Sequence, residues 1–279
     1  MATAFTELVG CAVPVQLAAM GGVGTTELAS AVVAAGGLGM VPSPTQPAAG
    51  ISGIGYLMPF TPAPDEIRET ARGVRVVEFF YGDPRADFVT AVHEGGALAG
   101  WQVGSAAEAI AAEQFGCDYV IAQGIEAGGH VRGRQPLNEV LAQVLAAVRV
   151  PVLATGGIAT AERVAELIGL GAAGVRVGTR FVATPESGAH PEYVEKLIGA
   201  SAADTVITEW FGEGWEHAPH RVLRSSLEAA QKSGWRETMP PTKDVEEVAD
   251  RAHYAGMGVS DVDRVQRAAD VVRDLVRLL

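Results

Sequence analysis

Short apolar runs alternate with amphipathic segments along much of the chain. The apolar runs lie at residues 12–16, 38–40, 52–57, 75–80, 98–103, 118–122, 151–155 and 174–178. Several of them carry few charges, which is typical of strands that are buried on both faces of a parallel sheet. The pattern therefore predicts eight parallel strands.

The segments between these runs show helical spacing and helix boundaries. One buried helix face is predicted by the spacing of Leu137, Val140, Leu141, Val144, Leu145 and Val148. Ser105 followed by Glu108 indicates a capping box at the start of another helix. Thr160 and Gly171 flank a third helix at 160–170. A strand followed by a helix, repeated eight times, predicts an α/β fold, the (β/α)8 TIM barrel.

Two parts of the chain depart from this alternation. Residues 41–47 contain three prolines, which forbid a regular helix, so we expect a loop in place of the second barrel helix. After about residue 185 the pattern gives way to an aromatic, polar patch around Trp210 and Trp215 and to two predicted helices, 222–233 and 261–278. We therefore divide the chain into barrel strands and helices at 1–185 and a helical region at 186–279, which packs on the barrel and lines the substrate site.

Composition narrows the class of protein. The 279 residues suit a single barrel of about 250 residues. The net charge of −12 disfavours nucleic acid and anionic membrane surfaces as partners. Two scattered cysteines, Cys11 and Cys117, form neither a disulfide framework nor a zinc site. Because no basic residue precedes Arg68 and no run of about 20 apolar residues occurs, we expect a soluble, cytoplasmic protein. A homo-oligomer is compatible with this composition.

Glycines cluster at the carboxyl ends of three predicted strands, where barrels carry their active sites. The last two clusters contain Gly156 and Gly157 after the seventh strand and Gly178 and Thr179 after the eighth. Glycine lets backbone N–H groups approach an anion closely, and Thr179 adds a hydroxyl donor. Barrels often hold phosphate after these two strands. The glycines could instead only turn the chain, but their position favours a phosphate site.

His130 is the leading catalytic candidate among the six histidines, because it alone follows a strand-end glycine cluster. Imidazole exchanges a proton near neutral pH. Glu126 is a second acid–base candidate, although a carboxylate that is solvated or fixes the loop is the stronger interpretation of it. His217 and His220 lack a third ligand, so we predict no metal site.

The loop at 123–130, Gln-Gly-Ile-Glu-Ala-Gly-Gly-His, resembles the signature of the nitronate monooxygenase family, formerly called 2-nitropropane dioxygenases. The similarity covers about residues 10 to 185 and returns at Tyr254-Ala255-Gly256. Its further segments are 17–22 (LAAMGG), 35–40 (AGGLGM), 76–82 (VVEFFYG), 152–158 (VLATGGI) and 174–181 (GVRVGTRF).

The resemblance implies a TIM barrel that holds one non-covalent FMN. By position, Ala18 and Met20 would line the flavin ring, and Gly157, Gly178 and Thr179 would hold its phosphate. The remaining implied cofactor-binding residues are Gln123, Gly128, Gly156, Arg176 and Val177. His130 would match the catalytic histidine, which withdraws the substrate α-proton or steadies the nitro group. The flavin would take the electrons, and O2 would reoxidise it.

Four residues depart from the family pattern. Gly55 replaces a frequent Asn, Arg176 and Met257 replace frequent Gln residues, and Ala19 replaces a Pro. These changes keep the FMN-binding fold but leave the substrate open.

Three functions remain in competition. The first is an FMN-dependent oxidation of alkyl nitronates with O2. The second is an FMN-dependent NAD(P)H reductase, similar to enoyl-acyl-carrier-protein or quinone reductases. The third, a catalytically silent flavin-binding or partner-binding barrel, is disfavoured by His130 beside the glycines.

Overall fold

The computed structural model describes residues 1–279. Its strands are β1 (Val15–Leu17), β2 (Gly39–Pro42), β3 (Ser52–Leu57), β4 (Val76–Phe80), β5 (Leu98–Val103), β6 (Tyr119–Gln123), β7 (Gly129–His130), β8 (Val152–Thr155), β9 (Gly174–Val177), β10 (Thr205–Thr208) and β11 (His220–Leu223). Eight of them form one parallel sheet in the order β1-β9-β8-β6-β5-β4-β3-β2. A parallel bridge between Gln16 and Leu38 connects the two ends of this order. The predicted TIM barrel is confirmed.

The helices are α1 (Ala4–Val9), α2 (Thr26–Ala34), α3 (Pro64–Ala71), α4 (Ala86–Gly95), α5 (Ala106–Gln114), α6 (Leu137–Ala147), α7 (Ala161–Gly169), α8 (Thr179–Val182), α9 (Pro191–Ile198), α10 (Arg224–Ser233) and α11 (Ala268–Val276). No helix separates β2 from β3, as the prolines predict. None of the helices is both long and apolar enough to cross a bilayer.

The helix starts follow the sequence closely, with one correction. The side chains of Thr160 and Ser105 cap α7 and α5 by accepting hydrogen bonds from backbone N–H groups. The Glu108 carboxylate, however, accepts from the N–H of Gly104 at 2.8 Å and not from that of Ser105. The predicted capping box is therefore only half formed, because Glu108 also binds the Arg132 guanidinium on its other side.

The C-terminal region contains more structure than its sequence pattern predicts. The predicted helix 222–233 begins only at Arg224, since His220–Leu223 forms β11. The predicted helix 261–278 is wrong in its first part: a 3-10 turn covers Met257–Asp261, Val265 is exposed, and α11 starts at Ala268. The sequence analysis also missed α9 and β10. Helix α11 packs against α2 and α7 and joins the main hydrophobic core. It thus supplies the outer layer that the four-residue α8 is too short to provide.

A small antiparallel sheet lies over the barrel mouth and fixes the His130 loop. Its order is β10-β11-β7, and the register pairs His220 with His130 and Arg221 with Gly129. The Arg221 guanidinium also donates to the carbonyl oxygen of Ile125 at 2.8 Å. A strand that follows the His130 loop by more than eighty residues therefore determines the position of that loop.

Candidate active site

A cavity of about 840 Å³ opens at the carboxyl ends of the barrel strands. It is lined by every residue that the sequence analysis assigned to the site: Ala18, Met20, Gln123, Gly128, His130, Gly156, Gly157, Arg176, Val177, Gly178 and Thr179. These residues come from four strand ends, β1, β6, β8 and β9, and from the His130 loop. The barrel therefore brings together in one place the segments that the sequence separates.

The β8 end presents backbone donors to this cavity. Gly156 and Gly157 have φ values of +122° and +66°, which side chains rarely tolerate. The N–H groups of Gly157 and Ile158 donate to no acceptor within the protein. Adjacent unpaired N–H groups at a glycine turn are a chemical match for an anion such as a phosphate.

Thr179 adds a hydroxyl at the β9 end. Its oxygen accepts a hydrogen bond from the N–H of Gly256 at 3.0 Å, and its own proton stays available for donation. Gly128 makes this contact possible, because a Cβ there would lie 2.4 Å from the nitrogen of Gly256. The segment around Gly256 thus packs backbone against backbone on the glycine loop and joins the far C-terminal region to the predicted phosphate site.

His130 lies among aromatic rings. The indole of Trp215 stacks on its imidazole with ring centroids 4.1 Å apart, and His220, Tyr81 and Tyr254 follow at 5.2, 5.6 and 5.9 Å. Its Nε2 atom is buried and has no hydrogen-bond partner. Burial, and to a smaller extent His220, lowers the pKa of His130 to about 3. The imidazole is therefore neutral at physiological pH.

Gln123 holds the His130 loop with both ends of its amide. Its Nε2 donates to the carbonyl oxygen of His130 at 2.9 Å, and its Oε1 accepts from the N–H of Arg132 at 3.0 Å. In this structure the Gln123 side chain therefore positions the loop that carries His130.

The cavity floor contains a buried ion pair. The Arg176 guanidinium lies 2.7 Å from Glu78 Oε1 and also donates to Gln102 Oε1. Gln16 donates to the other Glu78 oxygen. Burial raises the pKa of Glu78, and the Arg176 charge opposes that shift. The positive charge that Arg176 brings to the floor is therefore balanced by a carboxylate next to it.

The sequence model of the family described as Nitronate monooxygenase matches residues 63–277. That span covers well over half of the chain. The chain belongs to the nitronate monooxygenase family. It is thus an oxidoreductase of this type, and the family resemblance in its glycine and histidine segments is confirmed.

The protein is also similar to three known proteins over most of its length. Over 252 residues (84% of this chain and 69% of the relative) the protein is 34% identical to "(3aS,4S,5R,7aS)-5-hydroxy-7a-methyl-1-oxo-octahydro-1H-indene-4-carboxyl-CoA dehydrogenase" of Mycobacterium tuberculosis. It is 33% identical to a nitronate monooxygenase of Pseudomonas aeruginosa over 73% of this chain and 63% of that protein. The structure of FabK from Thermotoga maritima matches with a TM-score of 0.87 at 28% identity, covering 99% of this chain and 96% of that one.

Two of the four departures from the nitronate monooxygenase pattern touch each other. A Cβ at Gly55 would lie 2.5 Å from the Cβ of Ala19, so the two positions share one small space. Met257 lies outside the cavity lining, with its side chain partly exposed and its N–H bonded to the carbonyl oxygen of Glu126. The carboxylate of Glu126, the second acid–base candidate, accepts a hydrogen bond from the N–H of Leu137 and so caps α6.

Several residues of this site were missed by the sequence analysis. They are Phe60, Glu78, Gln102, His220 and Tyr254, which line the cavity or contact His130. Trp215 was predicted only as part of an aromatic patch in the region that lines the substrate site, and the structure stacks it on His130. Isolated aromatic and polar residues carry no spacing signal, and only the fold brings them together. The structure separates the two histidines considered as a metal pair: His217 is exposed, whereas His220 is fully buried beside His130. No group of three or more metal-ligating side chains occurs.

Proposed function

We propose that this protein oxidises alkyl nitronates with a non-covalently bound FMN and with O2 as the electron acceptor. The observation that carries this proposal is the pairing, in one cavity, of an anion-binding end and an unpartnered histidine. The anion-binding end consists of the free N–H groups of Gly157 and Ile158 and the Thr179 hydroxyl. The other end is His130 with its buried, unpartnered Nε2.

The donor set of the cavity fits the phosphate of FMN. Two unpaired backbone N–H groups and one hydroxyl proton are the kinds of donor that phosphate oxygens accept, and the glycines leave the backbone open to the cavity. Ala18 and Met20 line the adjoining wall of the cavity, where the ring system would lie. When bound, FMN would supply the two-electron oxidation that no protein side chain can perform.

The state of His130 indicates which substrate form this site accepts. An imidazole whose pKa is about 3 is neutral and a weak proton acceptor at neutral pH. It suits an anion that has already lost its α-proton, because a neutral ring N–H can donate a hydrogen bond to a nitronate oxygen. We therefore assign His130 to binding and orientation of the nitronate, with proton removal from neutral nitroalkanes as a slower, secondary activity.

The cofactor assignment is tested by heating the purified protein and analysing the released chromophore by chromatography. We expect FMN. Recovery of FAD, or of no flavin after reconstitution with FMN, would overturn the proposal.

A second candidate is an FMN-dependent NAD(P)H reductase that acts on a thioester substrate. The name of the M. tuberculosis relative, a carboxyl-CoA dehydrogenase, favours it. Anaerobic mixing separates the two functions. Rapid loss of flavin colour with NADH or NADPH would indicate the reductase, whereas loss only with a nitronate supports the monooxygenase. A cytoplasmic location and a homo-oligomeric state stay predictions.

A further inference from the structure

Three side chains with a formal charge line the main cavity: Glu66, Glu78 and Arg176. Glu66 is exposed on α3, so water and salt screen its charge. The side chains of Arg176 and Glu78 are only 9% and 1% exposed, and they form the ion pair of the cavity floor. Because charges in surroundings of low dielectric constant act over longer distances, this pair dominates the electrostatic potential at the floor.

The ion pair is connected to the wall where the flavin ring would lie. Arg176 directly precedes Val177 in β9, and the carbonyl oxygen of Val177 accepts a hydrogen bond from the N–H of Ala18 at 2.8 Å. Gln16 lies opposite Arg176 in the parallel pairing of β1 with β9, and its side chain donates to Glu78. The charged pair and the Ala18 wall are therefore built on neighbouring residues of the same two strands.

Two hydrogen-bond donors of the floor have no partner. The Nε atom of Arg176 and the Nε2 atom of Gln102 are buried and unpaired, and both residues line the cavity. An unpaired acceptor nearby, Gln16 Oε1, belongs to a residue that does not line it. N–H groups without a partner carry partial positive charge, so the floor favours a ligand that gains negative charge.

We propose that the Arg176–Glu78 pair sets how readily the bound flavin takes up negative charge, with Arg176 promoting this uptake and Glu78 limiting it. This inference rests on the proposed function, because it concerns the FMN of the same cavity. A positive charge near a flavin raises its affinity for electrons and a negative charge lowers it. The family pattern frequently has an uncharged Gln at position 176, so the pair is a feature by which this chain departs from that pattern.

The expected effect of each charge can be measured with sulfite, an anion that adds to oxidised flavin and binds more tightly where positive charge is near. At an effective dielectric constant of about 20, a unit charge about 10 Å away changes the binding constant of such an anion by about tenfold. We expect Glu78→Gln to tighten sulfite binding by about tenfold and Arg176→Gln to weaken it by about tenfold. The reduction potential of the flavin should rise and fall in the same sense, by about 30 mV for a tenfold change in a two-electron couple.

The experiment titrates sulfite into the FMN-loaded parent, the two single variants and the double variant Arg176→Gln with Glu78→Gln, and follows the flavin absorbance. The double variant should bind sulfite within about threefold of the parent, because the floor is neutral again. The control is Glu166→Gln, which breaks an ion pair with the same 2.7 Å separation between Arg163 and Glu166 on α7, outside the cavity. This control should match the parent.

The direction of the two shifts separates electrostatics from packing. If the ion pair only supports the fold, both single variants disturb the site and move sulfite affinity and potential the same way, which would overturn the inference. Unchanged values in both would also overturn it. If Arg176→Gln releases FMN because it leaves a buried carboxylate unpaired, Glu78→Gln is compared with the double variant, which differs from it only at position 176. A tenfold difference between these two is then expected, and equal affinities would contradict the role of Arg176.

Neither measurement uses a nitronate, so the two proposals fail separately. Opposite shifts in a protein that does not oxidise nitronates would support the role of the ion pair and refute the proposed substrate. A parent protein that binds no FMN would refute both.

Discussion

The two ends of the cavity are built in different ways. At the end that we propose binds phosphate, the donors are the backbone N–H groups of Gly157 and Ile158 and one hydroxyl, at the ends of two adjacent strands. At the substrate end, side chains from distant segments, above all Trp215 and Tyr254, surround His130. A binding site made of backbone groups depends on a few glycines that cannot be replaced. A binding site made of aromatic side chains can tolerate substitutions, and these substitutions can change the substrate that it accepts. The following experiments test this contrast, from the largest expected effect to the smallest.

Gly157→Val should affect the backbone end most strongly. The position has a φ of +66°, and a Cβ there would lie 3.0 Å from the Cβ of Glu126. Loss of two donors to a charged phosphate, at about 1.5–3 kcal/mol each, predicts FMN affinity that is about 10²- to 10⁴-fold weaker. The control is Gly96→Val, since Gly96 has a φ of +88° and open space around it, far from the cavity. Equal FMN loss in both variants would mean that general strain, and not the site, is responsible.

His130→Asn should lower the rate but keep the flavin. The variant retains polarity and loses the titratable ring, so we expect anaerobic flavin reduction by a neutral nitroalkane to slow about 10²-fold, the low end for acid–base catalysis, because the pKa of His130 is already far below 7. Oxidation of a preformed nitronate should slow less than that, because the Asn amide still donates a hydrogen bond to a nitronate oxygen but cannot remove a proton. The parent should show no change in rate due to His130 between pH 5 and pH 9. A full rate per bound flavin on both substrates would remove His130 from the mechanism.

Thr179→Ala should weaken FMN binding about 10- to 100-fold, corresponding to one hydrogen bond to a charged group of about 1.5–3 kcal/mol. Thr179→Ser is the matched control because it keeps the hydroxyl. If the serine variant loses as much flavin as the alanine variant, the methyl group and the packing of the Gly256 segment, and not the hydroxyl, hold the cofactor.

Acid should destabilise the protein through the buried His253, which precedes Tyr254 of the substrate end but does not line the cavity. Burial, with a smaller contribution from Lys196, lowers the pKa of His253 to about 4, against about 6.5 in an unfolded chain. A depressed histidine pKa contributes stability above pH 6.5 that is lost as the pH falls towards 4, because only the unfolded chain takes up the proton.

Denaturant unfolding at pH 7 and pH 5 measures this loss. Between these pH values His253 should account for about 2 kcal/mol of the decrease in unfolding free energy. In His253→Gln, which keeps a donor for the carbonyl oxygen of Val248, the decrease should be smaller by that amount. If His253→Gln and the parent show the same pH dependence of unfolding, the pKa shift of His253 is not the cause of the acid destabilisation.

The amino-acid sequence alone determined the barrel and the backbone half of the site. The local signals are strand burial, the three prolines at 42–47 and the glycines at the ends of β6, β8 and β9. Each of them follows from allowed backbone angles or from side-chain hydrophobicity. His130 was identifiable for the same reason, since its glycine loop directly follows a strand.

Only the tertiary structure decided what surrounds His130. Trp215 and His220 reach it because β11 pairs with β7, a contact between segments about ninety residues apart that no periodicity encodes. The partner of Arg176 was likewise decided by barrel closure, which places Glu78 of β4 opposite β9 across the interior. The neutral state of His130 results from this packing as well, because removal of water by the surrounding rings, and not the residue type, sets its pKa.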